Sequence, residues 1–174
     1  SFCKTNSYQI VEVPGLTEGA ACTAHLAETA IDPNVPLMIA NTDQIMEWNR
    51  AEFYDYFYTS NCDGTIFTFK SLDKKHSYAK LDDLDRYVKE VAEKVVISNN
   101  ATVGVYMWRK AGSFFGAAKE MIKRNIRTNN EFYICPVYNI NVEQNSKVEV
   151  YPIRSHHPIG TPEDLIRYLR HKGV

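Results

Sequence analysis

Apolar positions along the chain fall into runs of two kinds. In the first, apolar residues are continuous or alternate, which predicts strands. Tyr8–Val13, Val35–Ala40, Thr65–Lys70, Ala101–Trp108 and Lys147–Ile153 belong here, and Ser77–Leu81 with Tyr87–Glu93 predict two strands paired across an acidic turn, Asp82-Asp83-Leu84-Asp85. In the second, apolar residues recur every three or four positions, which predicts helices. Trp48–Tyr58, with an aromatic stripe, and Ser113–Arg124, with Phe114, Phe115, Ala118, Met121 and Ile122 on one face, are of this kind. A further helix is predicted from Thr17, a candidate N-cap, through the Ala-rich run to Ala27. The last opens at Thr161-Pro162-Glu163-Asp164, where Thr161 caps and Pro162 occupies the first helical position. Strands alternating with helices around one central hairpin predict an α/β chain with a mostly parallel, mixed sheet flanked by helices.

The stretch Val35–Gln44 organises the rest. Its apolar half reads as a strand buried on both faces, and it stops at Asn41-Thr42-Asp43-Gln44, whose one charge is Asp43. Ligands of open α/β sheets gather beyond the carboxyl ends of the strands. Asp43 is therefore placed either to hold a metal ion or substrate hydroxyl, or to cap a following helix; spacing does not choose between these. The acidic turn at 82–85 lacks the D-x-D-x-D-G pattern of a calcium loop and reads as a solvated hairpin tip. Gly104, inside an otherwise apolar strand, predicts a bulge or the close approach of a ligand.

Composition narrows the classes. A length of 174 residues suffices for one domain with a sizeable core. The net charge of −1, with Lys and Arg dispersed, argues against a nucleic-acid binder. No apolar run approaches the roughly 20 residues of a membrane span. Cys3, Cys22, Cys62 and Cys135 are far apart with no C-x-x-C pair, which fits free thiols in a reducing cytosol. The chain lacks an initiator Met, and an upstream segment is expected.

Six separated motifs, taken together in order, resemble the sugar-phosphate nucleotidyltransferases, the pyrophosphorylases that make activated sugars. They are Thr17-Glu18-Gly19-Ala20-Ala21, Ala40-Asn41-Thr42-Asp43-Gln44, Glu90-Val91-Ala92-Glu93-Lys94, Ala101–Tyr106, and Glu131-Phe132-Tyr133 with Gly160–Leu165. The N-x-D-Q pattern is closest to the branch serving bacterial capsule and surface polysaccharides. The resemblance implies a Rossmann-like fold and transfer of a nucleoside monophosphate from a triphosphate to a small phosphorylated acceptor, with release of pyrophosphate. It implies Thr17, Gly19, Asn41 and Asp43 at the nucleotide, Asp43 on Mg²⁺, and Glu93, Lys94, Gly104 and Glu131 at the acceptor. Asp43 and Lys94 would be the catalytic pair, in a cytoplasmic enzyme for which a homo-oligomer is left open.

The family's N-terminal strand and glycine-rich basic loop have no counterpart here, so the resemblance implies one domain lacking its first segment and weak or no activity of the chain alone. A second metal carboxylate of many members is replaced by His156-His157-Pro158-Ile159. Mg²⁺ prefers oxygen, so these histidines are expected as pocket wall or surface rather than ligands, although His157 is the candidate substitute. Two alternatives remain: a nucleotide-sugar glycosyltransferase, for which Asn41-Thr42-Asp43 offers one carboxylate instead of D-x-D, and a non-catalytic module on the same fold.

Overall fold

The computed structural model describes residues 8–173. Its longest strand is β6 (Asn100–Trp108), and three strands depend on it. β3 (Gly64–Lys70) runs antiparallel along one side. On the other side β4 (Ser77–Leu81) pairs near Ala101, and β1 (Leu37–Ala40) pairs from Leu37↔Trp108 to Ala40↔Val105. β5 (Val88–Glu93) extends the sheet beyond β4, and β7 (Val148–Pro152) lies parallel to β3. Between these, α1 (Ala20–His25), α2 (Arg50–Thr59), α3 (Ala111–Lys123) and α4 (Val137–Glu143) supply the covering helices.

The α/β class, with a mixed sheet flanked by helices, is as expected. The pairings within it are antiparallel apart from β3 with β7. Connections 71–76, 82–87 and 94–99 are too short for the crossover of a dozen or more residues that a parallel neighbour requires.

Strand alternation divides the core. Tyr106 and Trp108 of β6 face α3 and α4, where Trp108 stacks on Tyr138 at 4.4 Å and donates from Nε1 to Asn141 Oδ1 at 2.9 Å. Val103, Val105 and Met107 face the other way, onto Phe53 and Phe57 of α2. Those two phenylalanines are one helical turn apart and form the core part of the expected aromatic stripe, whose Tyr54 and Tyr58 are exposed, and Asn49 caps the helix by accepting from Glu52 N.

Three expectations are corrected. The strand expected to be buried on both faces at 35–40 is the half-buried β1, antiparallel to β6. Pro36 has no N–H to give, and the Val35 carbonyl is taken by Ala111 N, so pairing starts only at Leu37. Tyr8–Val13 forms no strand: it is exposed, because no strand among the described residues lies beside it to complete a ladder. The first helix begins at Ala20 rather than Thr17. Backbone bonds from Phe132 N to Glu18 O and from Ala21 N to Phe132 O hold residues 18–21 against Phe132, and Thr17 Oγ1 turns to Gly19 O and Thr23 Oγ1 instead of capping.

A small second sheet was not anticipated. β2 (Gln44–Glu47) pairs antiparallel with β8 (Ser155–Pro158), leading into α5 (Pro162–Lys172). α5 starts as its sequence predicts, with Asp164 N donating to Thr161 Oγ1 at 3.1 Å and Pro162 in the first turn. Because α5 buries no residue fully, its cap matters locally. Thr161→Ala is expected to cost about 1 kcal/mol, read as faster amide exchange across 165–172 with little change in global melting. The acidic turn is a solvated tip, as expected, with Asp82 Oδ1 accepting from Leu84 N and Arg86 N.

Candidate active site

A cleft of about 360 Å³ opens where β1 ends, floored by β6 and walled by the β4–β5 hairpin on one side and the β2–β8 pair on the other. The ladder continues one residue past β1, with Asn41 N donating to Gly104 O at 3.0 Å. Here β6 fits residues 103–105 opposite the single residue Phe67 of β3, and Gly104 turns to φ 72°. A Cβ at 104 would lie 2.5 Å from Asn41 Nδ2. The glycine therefore makes room for the Asn41 amide, and both residues line the cleft.

Asp43 lines the cleft with an exposed carboxylate. The chain enters strand β2 at Gln44, so the helix-capping alternative for Asp43 falls away. The segment between β8 and α5 wraps it: Ile159 N donates to Asp43 O at 2.8 Å, and a Cβ on Gly160 would come within 2.7 Å of Asp43 Oδ2. Asp164, in the first turn of α5, lines the same cleft, its oxygens taken by Thr161 Oγ1 at 2.9 Å and Arg167 Nη1 at 3.3 Å.

On the opposite wall Glu93 ends β5. Its Oε2 accepts from Ser77 Oγ, its partner in the β4–β5 register, and burial raises its pKa above the ordinary value. Lys94 follows with a left-handed backbone, φ 57°, an uncommon conformation for a side-chain-bearing residue. Its Nζ donates to Tyr133 OH at 2.9 Å and lies 4.9 Å from the ring centroid, and the tyrosine bond raises the lysine pKa. Tyr133 lines the cleft, so Lys94 stands at its rim.

Asn41, Asp43, Glu93 and Gly104 thus share one cleft, with Lys94 adjoining through Tyr133. Thr17, Gly19 and Glu131 are not among the lining residues. Gly19, at φ 131°, packs on the Phe132 backbone, and Ala20 is the residue of that motif that reaches the cleft. Exposed Glu131 bridges to Thr128 through paired backbone bonds.

Sequence reasoning missed Ser77 and Cys135 in the lining, and named Tyr106 and Asp164 only as parts of longer motifs. Ser77 was within reach, because the hairpin register sets it opposite Glu93.

Of the two histidines, His156 lines the cleft, while His157, on the other face of β8, meets Tyr168 and His171 beneath α5. His156 Nε2 lies 3.0 Å from Gln44 Oε1. Burial, then neighbouring His76, His157 and Lys75, lower its pKa to about 4. The unfolded chain therefore binds a proton between about pH 6.5 and 4 that the folded chain refuses, and stability falls as pH drops through that window. Urea titrations at pH 7 and 4.5 are expected to show this loss, and His156→Gln is expected to flatten it.

The donor set suits a substrate-bridged metal. Among the described residues no group of three or more His, Cys, Asp or Glu is placed to hold an ion. Mg²⁺ takes one or two protein carboxylates and completes its shell with phosphates and water, which Asp43 and Asp164 can satisfy.

No family model matches the chain, and no curated protein matches it. Solved structures share its fold. A nucleoside-diphosphate-sugar pyrophosphorylase from Vibrio cholerae RC9 superposes with a TM-score of 0.74 over 91% of this chain at 20% identity. A UDP-glucose pyrophosphorylase complexed with UDP-glucose gives 0.75 over 92% at 16%, and an inositol-1-phosphate CTP transferase from T. maritima 0.64 over 88% at 14%. The chain spans 67%, 64% and 60% of those three chains respectively.

Proposed function

We propose that this chain carries the acceptor side and metal-binding edge of a nucleotidyltransferase site. The reaction joins the phosphate of a small phosphorylated acceptor, such as a sugar phosphate, to the α-phosphorus of a nucleoside triphosphate. An acceptor phosphate oxygen attacks, the bond to the bridging oxygen of the β-phosphate breaks, and pyrophosphate leaves with that oxygen. The observation that carries the proposal is the convergence on one cleft of Asn41, Asp43 and Glu93, which come from motifs remote along the chain.

Asp43, with Asp164 from the first turn of α5, would hold Mg²⁺, which when bound neutralises phosphate charge. Asn41 offers its amide beside Asp43, on the nucleotide side. Glu93 accepts hydrogen bonds from the acceptor. Lys94 at the rim supplies a point charge to the acceptor phosphate once it swings from Tyr133. The contribution of these groups is positioning and charge stabilisation. The products are pyrophosphate and an activated sugar of the kind used for surface-polysaccharide precursors, and the chain acts as a single domain.

Calorimetric titration with the common nucleoside triphosphates and Mg²⁺ tests the reading, followed by pyrophosphate release with sugar 1-phosphates. Metal-dependent binding of at least one triphosphate is expected. Failure of every triphosphate to bind would overturn the proposal.

A further inference from the structure

Among the described residues, Glu93 is a buried charge with few partners. It is 8% exposed, lines the cleft, and has one donor among the described residues, the Ser77 hydroxyl on Oε2. No hydrogen bond from a described residue reaches Oε1, and no Lys, Arg or His nitrogen lies within 4.0 Å of either oxygen. A buried carboxylate kept for packing is normally surrounded by several donors or paired with a cation. The nearest ammonium, that of Lys94, is engaged with Tyr133 instead.

The rest of the cleft has the same sign. Its lining holds three carboxylates, Asp43, Glu93 and Asp164, against one ammonium, Lys75, with Arg167 paired to Asp164 at 3.3 Å and Lys94 at the rim. Burial lowers the pKa of the imidazoles of His76 and His156, so they contribute little positive charge at neutral pH. A pocket of one sign raises the local concentration of ligands of the other. Mg²⁺ at Asp43 would answer the charge at one end, and at Glu93 the described cation that bears on the carboxylate is Lys94, whose ammonium is hydrogen-bonded to Tyr133 rather than to Glu93. Tyr133, on the same wall, already takes a cation on its ring face from Lys94.

We propose that the acceptor carries a primary ammonium group as well as its phosphate, and that Glu93 and Ser77 receive that ammonium at the β4–β5 wall of the cleft. The acceptor class is then an amino-sugar phosphate or an aminoalkyl phosphate rather than a neutral polyol phosphate. This rests on the nucleotidyltransferase reading and specifies its acceptor. A hydroxyl would also fit beside Glu93, but a hydrogen bond with charge on both partners is roughly twice as strong as one with a neutral donor. Lys94 at the rim remains available for the phosphate.

Matched pairs test this: glucosamine 1-phosphate against glucose 1-phosphate, and phosphoethanolamine against ethylene glycol monophosphate. Each is titrated into the chain with Mg²⁺ and a non-hydrolysable nucleoside triphosphate present. In at least one pair the amine is expected to bind about tenfold tighter or better, a gap that follows from charged against neutral donors. In Glu93→Gln, which keeps an acceptor for Ser77, the ratio is expected to fall to near one. Thermal melting of the variant shows that it is folded. Equal or tighter binding of the hydroxyl compounds, or an amine preference that survives Glu93→Gln, would overturn the inference and leave the nucleotidyltransferase reading standing if the triphosphate binds. Absence of binding by all four compounds overturns it as well, and failure of the triphosphate to bind removes both.

Discussion

Asp43→Ala is expected to lower metal-dependent turnover by about 10²–10³-fold, the usual cost of deleting one preorganised group that faces developing charge. The carboxylate is exposed and makes no side-chain hydrogen bond among the described residues, so stability should change by no more than about 0.5 kcal/mol. The two readouts therefore separate. Pyrophosphate release falls steeply while the melting curve stays in place. Triphosphate affinity measured in EDTA should not weaken, because the aspartate repels a nucleotide that arrives without its metal. Turnover that survives the substitution would remove Asp43 from the site and favour the glycosyltransferase or scaffold alternatives.

Gly19→Ala is expected to be among the most destabilising single substitutions in the chain. A Cβ there would sit 2.6 Å from both the N and the O of Phe132, which are backbone atoms and cannot step aside. The φ of 131° adds a conformation that residues with side chains rarely adopt, costing of order 1–3 kcal/mol by itself. Together these imply a loss of about 3 kcal/mol or more, a fall in melting temperature of roughly 10 °C for a chain of this size. Ala20 follows directly and reaches the cleft, so nucleotide affinity should drop with stability. The residue that the resemblance placed at the base acts through the backbone of Phe132. A fully stable Gly19→Ala protein with weakened nucleotide binding would return it to direct contact.

Much of the fold is visible along the chain wherever local signals agree. β6 shows as a long apolar run, α2 as an aromatic stripe, and α5 as Thr161-Pro162. The β4–β5 hairpin shows as two β-prone segments around acidic turn residues. What stayed hidden depends on partners distant in sequence. Gln44–Glu47 becomes a strand only because residues 155–158 arrive beside it, and neither segment is long or β-prone enough to announce itself. Tyr8–Val13 shows the converse: β propensity without a neighbour gives no strand.

The site divides in the same way. Asn41, Asp43, Glu93 and Gly104 were reached through motifs because each sits at the end or kink of a strand that the pattern already marked. Asp164 was included only within the Gly160–Leu165 motif, and His156 was expected as pocket wall or surface and lines the cleft from the unforeseen strand β8. Lys94 was placed beside the acceptor, and its engagement with Tyr133 needs three dimensions to see.

One consequence follows from β6 pairing with β3 on one side and with both β4 and β1 on the other. Asn41 and Asp43 follow on from one of those neighbours, Ser77 lies on another with Glu93 on the strand beside it, and both neighbours pair with β6. Loss of that strand takes away both halves in a single event. Heat inactivation should then track global melting at every temperature, with no surviving species that holds metal and has lost the acceptor.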